Sequence, residues 1–180
     1  MKSSMEKSIQ DAANDAQVIA PFQSHGHDHG QCVVEAIAAA ESRCEKDGSS
    51  FTPLRRQVLE LVWSSHGPVG AYELLEKLRG SRRNAAPPTV YRALDFLMEH
   101  GLIHRIESLN AYVGCGDPAR LHGGQFLICR DCQSVAELDD SAIDRAVTRR
   151  ADALGFDVQQ QTVEIIGQCA DCSARGNDDS

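Results

Sequence analysis

Four cysteines in two CxxC pairs are the residues of this chain whose types and spacing are best suited to chemistry. Cys129 and Cys132 lie in the segment ICRDC, and Cys169 and Cys172 lie in the segment QCADC. Two such turns can close a tetrahedral shell of four sulfurs around one Zn²⁺. The interval between the pairs is about twice the usual spacing of a zinc ribbon, so a strand and a helix must fit between them. The pattern therefore predicts a structural zinc site that joins the two ends of a small domain.

Other interpretations of these thiols stay open at the level of spacing alone. A CxxC pair can be redox-active, although that chemistry needs one pair at a helix N-terminus rather than two matched pairs. The thiols can also be without a ligand. Two further cysteines, Cys32 and Cys44, lack the CxxC spacing, and we expect them to pack as small apolar side chains.

The composition of the chain favours a cytoplasmic protein that does not contact a membrane. Its N-terminal segment MKSSMEKSIQDAAND lacks the apolar region of a signal peptide, and no stretch approaches the ~18 apolar residues of a membrane span. In a reducing compartment an odd number of cysteines, 7, favours metal ligands and buried thiols over disulfides. The 180 residues are enough for one domain or two small ones.

The net charge of −8 is unevenly distributed along the chain. Residues 51–105 carry 8 basic and 5 acidic residues, whereas residues 1–50 carry 4 and 8, and residues 106–180 carry 6 and 13. Because DNA binding depends on a local cationic face rather than on the sum over the chain, this asymmetry permits a DNA-binding unit joined to an acidic one. An ordinary solvated surface can carry the same small surplus of positive charge.

The first part of the chain predicts a helical unit with a hairpin. Residues 1–30 are polar and lack periodicity, so we predict a flexible N-terminal tail. Four amphipathic helices follow, with predicted limits 32–45, 53–65, 71–79 and 87–101, and two short apolar runs at 102–106 and 111–113 predict the hairpin. Thr52-Pro53 and Pro87 mark helix starts, and Gly101 marks a helix end.

Three helices and a hairpin, preceded by one extra helix, predict a winged helix-turn-helix over residues 31–113, whose fourth helix enters the major groove of DNA. A small helical bundle with a basic surface is the alternative. His25, His27 and His29 in the preceding segment HGHDHG can hold a weakly bound third metal or serve as a polar leader. We favour no regulatory role for them.

The periodicity changes after residue 114 and predicts a second, αβ unit. Strands at 125–128 and 134–138 flank the first CxxC pair, a helix covers 140–154, and a long strand over 156–167 leads to the second pair. Residues 173–180 are predicted to be a disordered tail. A sheet of three strands with one covering helix leaves its edges open, so pairing with a second copy of the chain is expected. The fold class is therefore α+β.

Several segments of the chain resemble one known family. They are FTPLRRQVLELV, GAYELLEKLR, APPTVYRALDFLMEHGLIHRIESLNAYVGC, HGGQFLICRDCQSVAEL and the closing CADC. Together they resemble the ferric uptake regulator family over residues 33–172, and ALDFLMEHGLIHRIES is more similar to its zinc-responsive branch than to its iron-responsive branch. The resemblance implies a dimeric, metal-dependent repressor with an N-terminal winged helix, a hinge at 114–124 and a C-terminal dimerisation domain at 125–172.

The resemblance also implies a regulatory zinc site. His104, Cys115, His122 and Glu137 match the family's regulatory ligands residue for residue. One thiolate, two imidazoles and one carboxylate suit tetrahedral Zn²⁺ better than iron. Without the resemblance, each of these four residues is an ordinary surface, loop or half-buried side chain. The chain is therefore expected to hold two Zn²⁺, one structural and one regulatory.

For DNA contact the resemblance and the helix pattern point to five residues. Arg92 on the fourth helix can offer a bidentate fork to guanine, and Tyr91 and Thr89 can reach phosphates or thymine methyl groups. Tyr72 resembles a position that the family uses for base contact, and Arg55 is a candidate phosphate contact or a solvated charge. Tyr91 can instead pack in the core.

The expected function is that of a zinc-responsive repressor which binds operator DNA as a dimer, or as two adjacent dimers, and controls zinc uptake genes. An iron- or manganese-responsive regulator of the same family is the first alternative. A zinc-buffering or carrier protein without specific DNA binding is the second. A zinc enzyme is disfavoured, because deaminases with a similar ligand set need an HxE segment followed by PCxxC, and this sequence has neither.

Overall fold

A computed structural model describes residues 16–22, 29–65, 67–118 and 123–177. The elements in chain order are β1 (Ala16–Ala20), α1 (His29–Asp47), α2 (Pro53–Trp63), α3 (Ala71–Ser81), α4 (Pro87–Glu99), β2 (Ile103–Ile106), β3 (Ala111–Gly114), β4 (Gly124–Cys129), β5 (Val135–Asp140), α5 (Ser141–Asp152), β6 (Thr162–Gly167) and α6 (Ala170–Asn177). Within the described ranges, no helix is both long and apolar enough to cross a membrane.

Local sequence sets the limits of α2 and α4. The Thr52 hydroxyl accepts a hydrogen bond from the Arg55 N–H at 3.4 Å, and Pro53 occupies the first turn of α2. Pro87 likewise occupies the first turn of α4, although its N-cap residue, Ala86, makes no side-chain hydrogen bond. After α4 the chain turns at Gly101, whose φ of 64° is a conformation that glycine adopts without strain. The predicted starts and the predicted stop are therefore confirmed.

Helices α1 to α4 share one apolar core with the hairpin that follows them. Its buried residues come from each of these elements and include Ala40, Val58, Leu74, Leu94 and Ile103. Burying each leucine contributes about 1.5–3 kcal/mol, so this core holds the helices in a fixed arrangement. Cys44 is 2% exposed within it, as expected of a small apolar side chain, whereas Cys32 is half-buried.

The hairpin of β2 and β3 forms the wing. The strands are antiparallel, with Ile103 opposite Gly114 and Ile106 opposite Ala111. Val69, between α2 and α3, exchanges two backbone hydrogen bonds of 2.9 Å with Tyr112 and so adds a short third segment. This arrangement is a winged helix, and the predicted fold class is confirmed.

The C-terminal unit is built on a four-stranded sheet in the order β1-β5-β4-β6. Strand β4 is antiparallel to β5 and parallel to β6, and β1 is antiparallel to β5. Helix α5 begins directly after β5, where the Asp140 carboxylate accepts a hydrogen bond from the Ala142 N–H at 2.8 Å.

Three predictions about the limits of elements and tails are wrong. Residues 16–20, inside the flexible tail predicted over 1–30, form β1, because they pair with the open edge of β5. Residues 173–177, inside the predicted disordered tail, belong to α6. The strand predicted over 156–167 begins only at Thr162, since α5 ends in a turn at Gly155 with φ of 70°.

The wing packs against the C-terminal sheet through a second, smaller apolar cluster. Its buried residues are Ile106 from β2 and Phe126 and Ile128 from β4. Leu109 and Val113 of the wing and Val135 of β5 pack around them. Since β-strand side chains alternate between faces, Ile103 faces the helical core while His104 and Ile106 face the sheet.

Candidate metal centres and nucleic-acid interface

The first candidate metal centre is the cluster of the four CxxC cysteines. The sulfurs of Cys129, Cys132, Cys169 and Cys172 all lie within 4.8 Å of one another. The Sγ atoms of Cys132 and Cys169 are 3.8 Å apart. Bonds of about 2.3 Å from a tetrahedral Zn²⁺ place two sulfurs about 3.8 Å apart, so the donor set and its spacing fit a zinc site with four thiolate ligands.

Two turns bring these sulfurs together. Cys129 ends β4, and its carbonyl accepts a hydrogen bond of 2.8 Å from the N–H of Gln133, whose φ of 59° reverses the chain just after Cys132. Cys169 lies directly before α6, and Cys172 lies in its first turn. The Cys169 N–H is 3.4 Å from the Cys129 sulfur, so the two turns contact each other at the ends of the neighbouring strands β4 and β6.

The thiols of this cluster differ in acidity. Backbone N–H groups of Cys132 and Cys169 lower the pKa of Cys129 from 9.0 to about 6. Burial, together with hydrogen bonds to the other three cysteines, raises the pKa of Cys172 to about 12. Four adjacent thiolates repel one another, so complete ionisation requires a cation at their centre.

The redox interpretation receives one supporting feature, because the second CxxC pair lies at the N-terminus of α6. No disulfide joins any of the seven cysteines, all of which lie in the described ranges. Since the first pair converges on the second, the arrangement favours a metal ligand set over a single reactive pair.

The second candidate metal centre lies between the wing and the sheet. One ligand atom each of His104, Cys115 and Glu137 lies within 4.8 Å of the others. His104 belongs to β2, Cys115 directly follows β3, and Glu137 belongs to β5. Nitrogen, sulfur and oxygen donors in this combination fit Zn²⁺. His122, the fourth predicted ligand, lies outside the described residues.

Glu137 is a buried carboxylate, with only 3% of the residue exposed. Its Oε1 is 2.7 Å from His104 Nε2, and its Oε2 accepts a hydrogen bond of 2.9 Å from the Gly116 N–H. A buried carboxylate is costly unless it is paired with positive charge or binds a metal. The burial of Glu137 therefore favours a cation site.

His104 holds a proton tightly at this position. Burial alone lowers its pKa, but hydrogen bonds to Cys115 and Glu137 outweigh burial and raise the pKa from 6.5 to about 9. The His104 ring also packs edge-on against Phe126, with ring centroids 5.2 Å apart. These contacts orient the imidazole toward the other two donors.

Trp63 supports the chain just before Cys115. A Cβ atom placed on Gly114 would lie 2.2 Å from the Trp63 ring, so only glycine fits there with the indole in place. Gly114 and Trp63 were not predicted as functional residues. A lone tryptophan and one glycine give no sequence signal of a contact between them.

The exposed face of α4 carries two of the predicted DNA contacts. Its buried residues Val90, Ala93, Leu94 and Leu97 follow helical spacing and face the core. Arg92 is exposed on the opposite side, and Tyr91 is 43% exposed. The core-packing alternative for Tyr91 therefore does not hold. Thr89 is half-buried in the first turn.

The other two predicted DNA contacts, Tyr72 and Arg55, differ in how accessible their side chains are to DNA. Tyr72, at the start of α3, is 74% exposed. The Arg55 guanidinium packs on the Phe96 ring, 3.4 Å from its centroid, and donates to the Ser50 carbonyl. That cation–π contact already uses one of its faces, so Arg55 is less available to DNA than Tyr72.

The chain matches known proteins over most of its length. The ferric uptake regulator family matches residues 46–166. The zinc uptake regulation protein of Escherichia coli strain K12 is 38% identical over 141 residues, which are 77% of this chain and 81% of that protein.

Two solved structures are similar in fold as well as in sequence. A zinc uptake regulator complexed with zinc and DNA is 36% identical, with a TM-score of 0.78, and the match covers 81% of this chain and 97% of that chain. The crystal structure of holo XcZur is 46% identical, with a TM-score of 0.72, and the match covers 78% and 98%.

A winged helix joined to an αβ unit, with two clusters of side chains that could hold a metal ion, is the architecture of a metal-dependent regulator of transcription. The chain belongs to the ferric uptake regulator family. Because that family consists of transcription regulators, the chain is not an enzyme. The predicted family is confirmed.

Proposed function

We propose that this chain is a zinc-responsive repressor that binds operator DNA and controls zinc uptake genes. The observation that carries the proposal is the position of the His104, Cys115 and Glu137 cluster, whose members come from the wing and from the C-terminal sheet. The similar structure of a zinc uptake regulator, which is 36% identical and contains zinc and DNA, supports the same function.

We further propose two Zn²⁺ per chain. The four cysteines hold one ion inside the C-terminal unit. His104, Cys115 and Glu137 hold the second, with His122 as the fourth ligand. When bound there, zinc supplies coordinate bonds to donors on both sides of the boundary between the wing and the sheet.

The mechanism follows from what these residues join. His104 is fixed to the winged helix by its neighbour Ile103 in the helical core, and Glu137 is fixed in the sheet between β4 and β1. Residues 114–124 form the hinge between the winged helix over 31–113 and the dimerisation unit over 125–172. A zinc ion held by ligands on both sides of this hinge would restrict the angle between the two units. Apparent DNA affinity rises with the fraction of molecules whose angle allows DNA binding.

A homodimer is the proposed assembly. Helix α5 has no buried residue, although it carries apolar side chains. The exposed apolar residues of this region are Val147 (41%), Leu154 (85%), Phe156 (64%), Ile165 (45%) and Ile166 (61%). Strand β6 also ends the described sheet. A second copy that covers this face and pairs with this edge satisfies both features.

The proposed DNA interface is centred on α4. Arg92 reads a base, Tyr72, Tyr91 and Thr89 contact bases or the backbone, and Arg55 stays a prediction as a phosphate contact. Glu76 and Arg79 are candidates for ion pairs with the same residues of an adjacent dimer. They form an ion pair of 2.6 Å with each other within α3, which favours an ordinary surface pair of one helix. One or two retarded complexes in a gel shift with operator DNA distinguish binding by one dimer from binding by two.

A gel-shift titration tests the proposal. The full chain is mixed with zinc-transporter promoter DNA of its own organism and titrated with zinc, iron(II) or manganese(II). We expect retardation with zinc at the lowest free metal concentration and no retardation of unrelated duplexes. A stronger response to iron or manganese would make the chain a regulator of another metal. Zinc binding without specific retardation would identify a zinc-buffering protein.

A further inference from the structure

The wing contacts the C-terminal sheet at three places along its length. At its base, His104 and Cys115 meet Glu137. In the middle, Ile106 packs against Phe126. At the tip, the turn that follows β2 meets a second carboxylate, that of Glu164 on β6.

The contact at the tip has defined geometry. Glu164 Oε1 accepts a hydrogen bond of 2.6 Å from the Glu107 N–H, and Oε2 accepts one of 3.0 Å from the Ser108 N–H. Each carboxylate oxygen thus receives one of two consecutive backbone donors. Burial alone raises the pKa of Glu164, but these bonds and one from the Ser108 side chain outweigh it and lower the pKa. Glu164 is therefore ionised near neutral pH, and the bonds are charge-assisted.

The two carboxylates lie in one row across the sheet. Phe126 is paired with Glu164 on one side and with Glu137 on the other. Directly paired residues of neighbouring strands share a face, and the strands lie about 4.8 Å apart, so the two carboxylates are anchored about 10 Å apart. The wing rests on this row, with Phe126 between its two points of attachment.

Two separated attachments restrict the wing more than one does. A single attachment at the base leaves rotation about that point, whereas a second one at the tip removes much of it. We propose that Glu164 is a positioning residue that holds the tip of the wing in the orientation for DNA binding. This inference rests on the proposed function and adds an attachment that uses no metal. By linkage, a residue that holds the wing against the sheet also raises the zinc affinity of the site at the base of the wing.

The sequence carried a weak signal of this role. Glu164 interrupts the apolar strand TVEIIG, where a charged side chain needs a partner. Two of its partners are backbone N–H groups 56 and 57 residues away in the chain, which every residue type except proline offers. Spacing alone therefore could not find the contact.

Substitution Glu164→Gln tests the proposal, because an amide offers one acceptor and places NH₂ donors against a backbone N–H. We expect about tenfold weaker operator binding and about tenfold weaker zinc binding at the regulatory site. The dimer and one tightly held zinc per chain should be retained. Glu107→Gln is the matched control, since it removes one negative charge from the turn that Glu164 contacts but keeps both backbone donors.

Electrostatics alone predicts the opposite change in operator affinity for Glu164→Gln. Removing a negative charge near DNA strengthens binding, so equal or tighter operator binding by Glu164→Gln would overturn the proposal. Equal weakening by Glu107→Gln would also overturn it, because the loss would then not depend on the two hydrogen bonds that Glu164 accepts.

Amide hydrogen exchange separates failure of this inference from failure of the proposed function. With zinc bound, the N–H groups of Glu107 and Ser108 should exchange slowly in the parent and faster in Glu164→Gln. If the parent binds no operator but these amides and zinc affinity respond as expected, Glu164 still holds the tip of the wing against the sheet, while the proposed function fails. Unchanged exchange and unchanged zinc affinity would overturn the positioning role.

Discussion

The two candidate metal centres differ in what their ligands connect. The four cysteines all belong to the C-terminal unit, where two turns of one sheet carry them. In the second centre, His104 belongs to the wing and Glu137 belongs to the C-terminal sheet. A metal in the first centre would stabilise one unit, whereas a metal in the second would restrict the angle between two units. On the proposed function, four thiolates thus serve folding in one place, and a mixed set of nitrogen, sulfur and oxygen donors serves coupling in the other.

The strongest test of this difference is Cys129→Ser. We expect loss of the tightly held zinc and of the folded dimer, because the binding free energy of a structural zinc, about 10–16 kcal/mol in zinc-finger peptides, is folding free energy. Metal analysis and sedimentation measure both. Cys32→Ser, at a half-buried cysteine outside the cluster, is the control and should keep both. A zinc-free folded dimer of Cys129→Ser would remove the structural role.

The complementary substitution is Cys115→Ser, which removes the only thiol of the second centre. We expect a folded dimer with one zinc per chain and more than about 100-fold weaker regulatory zinc binding, since even outer-shell changes cost about 10–100-fold. Operator binding should fail at zinc concentrations that saturate the parent. Zinc-dependent gel shifts of parent and variant compare the two. The same zinc dependence in both proteins would place the regulatory ligands elsewhere.

Gly114→Ala perturbs the second centre without touching a ligand atom. The added Cβ would lie 2.2 Å from the Trp63 ring, and overpacking of this kind costs about 3 kcal/mol of unfolding free energy. Chemical denaturation measures the loss, and fluorescence of the single tryptophan follows regulatory zinc binding, which should weaken. Gly80→Ala, where a Cβ meets nothing within 4 Å, should be neutral or stabilising. Similar stability of both variants would argue against a rigid contact between Gly114 and Trp63.

Arg92→Ala should leave both metal centres intact and alter only the reading of DNA. We expect a loss of about 1–3 kcal/mol in operator affinity and relaxed preference at one base pair per half-site. Arg82→Ala, also exposed, should weaken specific and random DNA alike and lower the salt slope by about one. Competition gel shifts with single-base operator variants measure both effects. Equal weakening on every duplex by Arg92→Ala would make Arg92 a phosphate contact.

Sequence by itself determined those features that depend on neighbours a few residues away. Thr52 and Pro53 set the start of α2 because capping involves backbone groups within one turn. Each CxxC pair is a local turn, so its spacing already indicated a metal ligand set. The apolar repeat of α4 likewise placed Arg92 opposite the core.

Only the tertiary structure decided which distant residues meet. Without the family resemblance, Glu137 looked like a solvated strand residue, and its burial follows from the wing that covers the sheet. Strand β1 arises because β5 has an edge that it can pair with, not from the weak pattern of residues 16–20. Glu164 and the amides of the wing turn meet because the hairpin rests across the sheet. Such contacts depend on the register and packing of whole elements, and therefore leave little trace in local residue patterns.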